Sequence, residues 1–245
     1  MIAIIGTHRD DILYFDSIIS NKKTRMMFDK YEVIEGMIFN QEVLLTYGVF
    51  TSYLSSACIM HILDTNFVNL VIVVGKCKAF SKDLKIGDIL VSRETFIGDV
   101  NQIENASSLL GQIPGLGRSF PAQKDVIDYL EKAFQKRTIN NYKIGTLIST
   151  NTVYQKREEL VNIMDGDSIF GYSEHVGLDS ISGGCAVACS VQKVPFISVK
   201  VVDKKLDDKY NVENYLKVLE SFSNVGRAVV TLIGDIGRKD VMRAR

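Results

Sequence analysis

Four polar residues stand where apolar runs of this chain break off: Asp11 after residues 1–6, Lys76 after 70–75, Asn151 after 143–149 and Asp203 after 195–202. Short apolar runs without polar alternation read as strands covered on both faces. In open α/β folds, ligands bind beyond the carboxyl ends of such strands. If these strands run parallel, the four side chains converge at one edge of the sheet. A carboxylic acid placed there can protonate a leaving-group nitrogen, and a second carboxylate can activate water. Asp11 also has a plainer reading, because Thr7, Asp10 and Asp11 suit a helix N-terminus, where acceptors satisfy free amides. Asp203 equally suits the solvated stretch Asp203-Lys204-Lys205-Leu206-Asp207-Asp208.

Other chemistries lack their signatures. No GxGxxG or GxxxxGK[ST] sequence occurs, so neither a dinucleotide nor a P-loop site is indicated and no cofactor is expected. The G-x-S-x-G elbow of hydrolases is absent. His8, His61 and His175 are far apart in sequence, and no metal site is expected. Cys185 and Cys189 share a helix face but read as small core residues among Ala, Gly and Val. The formal net charge is zero and basic residues are scattered, which gives no electrostatic footprint for nucleic acid. No stretch has the apolar length needed to span a bilayer, and the N-terminus does not read as a secretory signal. The reading is a reduced, cytoplasmic protein.

The elements that must position these residues follow from periodicity. Residues 31–37 and 42–47 flank Phe39-Asn40 as a hairpin. Residues 52–63 have helical spacing, 70–75 form a buried strand stopped by Gly75, and 89–92 form another. Residues 101–118 read as a long loop over one end of the sheet, of the kind that serves as a lid. A helix is expected over 122–136, a strand over 143–149, a short helix within 152–164, a small-residue helix over 180–192 and a closing helix over about 212–233. Strands alternating with helices imply a three-layer α/β/α sandwich around a mixed, mainly parallel sheet, in one domain spanning 1–245.

With these residues in place, the chain resembles the nucleoside phosphorylase/nucleosidase family, and most the methylthioadenosine/S-adenosylhomocysteine nucleosidases, nearly end to end. Asp83-Leu84-Lys85-Ile86-Gly87-Asp88-Ile89-Leu90-Val91-Ser92 is very close to the family's L-K-x-G-D-x-V-V-S stretch, its most specific segment here. The opening strand and acidic turn resemble the family's, and imply that Asp11, where these nucleosidases carry glutamate, activates the attacking water. Ser149-Thr150-Asn151-Thr152-Val153-Tyr154 stands for S-G-D-x-F, which implies that Val153 and Tyr154 stack on a purine and hold it through backbone groups. Val194-Pro195-Phe196 leads into the last strand as in family members.

Departures fall in the site. Gly75-Lys76-Cys77-Lys78-Ala79 replaces a glycine-rich G-x-A-G-G loop, which makes Gly75 and Lys76 substrate-facing positions. Asp179-Ser180-Ile181 stands for E-M-E, so Asp179 and Ser180 fall beside the ribose and Ile181 replaces a ribose-gripping glutamate. Asp203 matches the base-protonating aspartate of R-x-x-S-D if one residue is deleted. The resemblance implies an N-ribosyl hydrolase acting on a purine nucleoside in methionine salvage, working as a homodimer. Two alternatives remain open: a homologue that binds a nucleoside-like or anionic ligand without catalysis, and a phosphate-dependent phosphorylase, which Lys76 and Lys78 would suit.

Overall fold

The computed structural model describes residues 1–100, 111–164, 175–208 and 214–243. Part of the expected lid loop, residues 101–110, lies outside them, as does the expected start of the closing helix at 212–213. The strands are β1 (Ile2–Ile5), β2 (Ser20–Met27), β3 (Tyr31–Ile38), β4 (Gln41–Thr46), β5 (Leu70–Ala79), β6 (Ile89–Ile97), β7 (Ser119–Pro121), β8 (Tyr142–Ser149), β9 (Val176–Asp179) and β10 (Phe196–Lys205). The helices are α1 (Arg9–Ile18), α2 (Ser52–Thr65), α3 (Lys124–Lys136), α4 (Arg157–Met164), α5 (Ser182–Gln192) and α6 (Tyr215–Arg243).

Successive residues of a strand point to opposite faces, so an unbroken apolar run must be covered on both. β1 behaves in this way. Ile2 and Ile4 pack with Ile12 and Phe15 of α1 and with residues of α3 and α6. Ala3 and Ile5 pack on the other side with Cys58 and Ile59 of α2 and Cys185 of α5. The sheet is therefore the middle of three layers, with α1, α3 and α6 on one face and α2 and α5 on the other. The α2–α5 contact is close because Gly184 carries no Cβ; one built there would lie 1.9 Å from the Ser52 carbonyl oxygen.

The sheet is mixed, and among the described residues five of its strand pairings are antiparallel. β2–β3–β4 is an antiparallel meander, the expected hairpin extended by one strand. β2 escapes sequence reading because its face is exposed and lysine-rich, as suits an edge strand. Further along, β5, β10, β6, β8 and β9 pair in a closed ring. Its enclosed side holds a separate small cluster that includes Cys77, Leu90, Leu147 and Val202.

Two strands run further than their sequences suggest. β5 does not stop at Gly75 but continues to Ala79, because β10 pairs with it along that whole length. β10 likewise continues to Lys205, with a register shift between Val202 and Lys204 that leaves Asp203 as the extra, bulged residue.

One edge of β5 is shared by two strands. β1 pairs with it in parallel over Leu70–Val73. β9 pairs antiparallel with Lys78 and Ala79. The carboxyl ends of β1 and β9 therefore meet head-on beside Gly75, Lys76 and Cys77. β8 runs parallel to β9, and so opposite to β5. The carboxyl end of β8 still lies beside that of β9, through Ser149 and Asp179, but the Asn151 side chain turns away from the junction. Its Oδ1 accepts from Ser52 N at 2.9 Å, and its amide nitrogens donate to Asp99 Oδ2, which fixes the start of α2.

Candidate active site

A cavity of about 230 Å³ opens where the ends of β1 and β9 meet. Thr7 and His8 line it from the β1–α1 turn, and Lys76, Cys77 and Lys78 from β5. Thr150, Thr152, Val153 and Tyr154 line it from the segment after β8, Leu178, Asp179 and Ser180 from β9 and its end, and Asp203 from the β10 bulge. Of the residues singled out from the sequence, Lys76, Val153, Tyr154, Asp179, Ser180 and Asp203 thus share one cavity.

Asp11 sits directly behind this wall, 4% exposed. Its Oδ2 accepts from the amides of Thr7 at 2.9 Å and His8 at 2.8 Å, so it caps the helix it belongs to. Its Oδ1 is equally buried and has no hydrogen-bond partner in the structure. The capping reading of Asp11 made from sequence is therefore seen directly in Oδ2, while Oδ1 is left without a partner. Burial raises the Asp11 pKa, opposed by the His8 amide and the nearby Lys200 charge.

Gly75 makes that placement possible. Its φ of +142° is a conformation that L side chains rarely adopt, and a Cβ there would lie 3.1 Å from Asp11 Oδ2. Lys200 pairs across the ladder with Gly75. It is fully buried, and its Nζ lies 3.0 Å from Asp179 Oδ2 as an ion pair without the alignment of a hydrogen bond. Asp179 also accepts from the amide of Ser182 at 3.1 Å and, closely, from the Ser182 hydroxyl. The Ser182 oxygen in turn accepts from the Ser198 hydroxyl at 2.7 Å. Burying three charged groups together is tolerable only when they compensate one another.

Lys200 is the residue that sequence reasoning missed as a participant. Its signal was present: a lysine flanked by Val199 and Val201 inside an apolar strand must bury its charge and needs a carboxylate partner.

The other end of the cavity has a different character. The Lys78 ammonium donates to the Tyr154 carbonyl oxygen at 2.8 Å. Burial pulls the Lys78 pKa down, with Lys204 acting in the same direction. Burial raises the Asp203 pKa, against the charges of Lys76, Lys78 and Lys204. Burial likewise pushes the Cys77 thiol up, which removes it as a nucleophile.

Ile181 does not line the cavity. It is fully buried in the apolar layer with Cys58, Ile59 and Cys185, and its carbonyl accepts from Ser55 Oγ at 2.9 Å. An isoleucine at the start of α5, packed against α2, is drawn into the core rather than toward a polar cleft. Gly75 contributes backbone behind the wall rather than surface. Among the described residues, no cluster of three His, Cys, Asp or Glu could hold a metal ion. Nor is any described helix long and apolar enough to cross a membrane.

Comparison with known proteins places this geometry in context. The family model described as Phosphorylase superfamily matches residues 15–233. The 5′-methylthioadenosine/S-adenosylhomocysteine nucleosidase of Staphylococcus carnosus is 23% identical over 86% of this chain and 90% of its own. The crystal structure of the Neisseria meningitidis nucleosidase of that name, in complex with methylthio-immucillin-A, superposes with a TM-score of 0.84 at 18% identity, covering 95% of this chain and 97% of that one. The futalosine hydrolase of Helicobacter pylori superposes with a TM-score of 0.82 at 18% identity, over 96% of this chain and 97% of its own.

Proposed function

Because the chain belongs to the phosphorylase superfamily, we propose that it is a purine nucleosidase, an N-ribosyl hydrolase that cleaves the bond between ribose and base. The observation that carries this reading is the unpartnered, buried Oδ1 of Asp11 behind the cavity that holds Asp203. A water held by Oδ1 gives up a proton to Asp11 as its oxygen bonds to the anomeric carbon. The bond from that carbon to the base nitrogen breaks, and Asp203 supplies a proton to the departing base. Burial supports both roles: it makes Asp11 a stronger base and helps Asp203 retain its proton.

In the same reading, Val153 and Tyr154 contact the purine while Asp179, held by Lys200 and Ser182, faces the ribose hydroxyls with Ser180 beside it. Gly75 lets Asp11 approach, and Lys76 sits at the mouth. Ile181 supports the ribose side only through the core. The methylthioadenosine and adenosylhomocysteine named for the relatives are the first substrates to test, and methionine salvage in the cytoplasm is the matching role. We read the protein as one domain that forms a homodimer, which a sizing measurement giving a monomer would contradict.

The test is incubation with methylthioadenosine, adenosylhomocysteine, inosine and adenosine, with and without phosphate, following free base and sugar by chromatography. Base release without phosphate is the expected result. Release only with phosphate, yielding a sugar phosphate, would assign phosphorolysis instead. No release from any of the four refutes the reading.

A further inference from the structure

The end of the cavity next to Val153 and Tyr154 is rich in hydrogen-bond donors and positive charge. Lys76 and Lys78 line it, and Lys204 lies close enough to act on Asp203. Against these stands Asp203, with Glu159 acting on Lys78 from the neighbouring helix. The Tyr154 carbonyl is one acceptor of the 153–154 backbone, and Lys78 Nζ already donates to it at 2.8 Å. An ammonium has three donors and no acceptor, so Lys78 keeps donors to offer after that bond.

A purine with an exocyclic amino group brings donors to this end. Its amino donors would meet the Lys78 ammonium, which places donor against donor, and only the second lone pair of the Tyr154 carbonyl would be left to accept. An oxo group brings an acceptor and meets free N–H groups. The positive end also favours a base whose ring and oxo oxygen gather negative charge before Asp203 protonates it.

We infer that Lys78, aided by Lys76, makes this cavity selective for nucleosides of oxopurines over those of aminopurines. The inference rests on the proposed function only in placing the base against Val153 and Tyr154. Sites that hydrogen-bond a ligand group reject analogues lacking it strongly, because their own polar groups are left unpaired.

Binding of free bases tests this apart from catalysis. Calorimetric titration should show hypoxanthine binding at least about tenfold tighter than adenine to the wild-type protein. Lys78→Met, which keeps the stem and frees the Tyr154 carbonyl, should erase most of that ratio or reverse it. Lys76→Met, at an exposed position that folding tolerates, should reduce it in the same direction. Turnover supplies the second readout: inosine should exceed adenosine in kcat/KM, and the ratio should fall in both variants. Adenine binding as tightly as hypoxanthine, or a ratio unmoved in both variants, overturns the inference. If no nucleoside is cleaved yet hypoxanthine outbinds adenine through Lys78, the proposed activity fails and this inference stands.

Discussion

Replacing Lys200 by methionine removes one charge from the buried centre of the site while keeping most of the side-chain length. The Lys200–Asp179 pair is 3.0 Å apart, with the two side chains 0% and 3% exposed. Removing one partner of a buried pair costs about 3–5 kcal/mol, because the other charge stays buried without compensation. Asp179 would keep both donors from Ser182, so the lower end, about 3 kcal/mol, is the expectation. In a protein of this size each kcal/mol moves Tm by about 2–4 °C, so Lys200→Met should melt about 6–12 °C below the wild type.

The loss should also depend on pH. The Lys200 charge opposes the burial that raises the Asp11 pKa, so without it that pKa rises further. A carboxyl with a raised folded pKa costs stability once pH exceeds its unfolded value, and the cost disappears as pH falls and it protonates. The Tm deficit should therefore widen between about pH 5 and about pH 8. Adding Asp179→Asn should recover part of it, since the stranded charge is then gone. Thermal unfolding followed by circular dichroism measures all three proteins. A Lys200→Met that melts within about 2 °C of the wild type at both pH values refutes the compensation argued here.

Asp203→Asn should lower the rate of base release by about 10²–10⁴-fold with an unchanged circular dichroism spectrum; full activity would place the proton donor elsewhere. Because burial raises the Asp203 pKa, its ionised form costs stability, and the variant's Tm should gain on the wild type as pH rises. The pH–rate profile of the wild type should be bell-shaped, falling at low pH as Asp11 protonates and at high pH as Asp203 loses its proton. Gly75→Ala should lose about 1–3 kcal/mol in urea unfolding from its φ of +142°, and should lower turnover by crowding Asp11. Gly184→Ala places a Cβ 1.9 Å from the Ser52 carbonyl, and the backbones of α2 and α5 cannot yield, so a loss on the order of 3 kcal/mol is expected.

What the sequence made legible was set by local patterning. β1 was readable because both faces of Ala3, Ile4 and Ile5 are covered, which forbids polar alternation. The hairpin was readable because Phe39-Asn40 interrupts two strand-like runs. The full length of β5 was not, since a glycine at a strand end and one inside a strand look alike until β10 is seen pairing past it. The direction of β8 was also hidden, because direction is fixed by partners distant in sequence. Asn151 reads as a site residue in one dimension and anchors α2 in three because its partners, Ser52 and Asp99, are distant in sequence. Asp203 reached the cavity through a bulge, a one-residue irregularity of pairing to which composition gives no clue.

The arrangement of charge bears on whether this site works or only persists. Asp11, Asp179 and Lys200 are all nearly or fully buried, and one carboxylate oxygen among them has no partner. Well-packed apolar residues in place of a buried ion pair are often neutral or stabilising, so stability alone does not account for this set. The helix cap does not account for it either, because Oδ2 of Asp11 suffices for the two amides and leaves Oδ1 over. Active sites are where unfavourable burial of this kind is found, since perturbed carboxyl groups are what proton transfer near neutral pH requires. A family member that had turned into a mere scaffold would have no use for an unsatisfied oxygen beside a glycine whose φ of +142° L side chains rarely adopt, at a head-on junction of two strands. The substitutions at Lys76 and Lys78 leave that junction intact and alter the walls around it, and Ile181 lies in the core outside those walls. On physical grounds they change what the cavity accepts more than whether it can act.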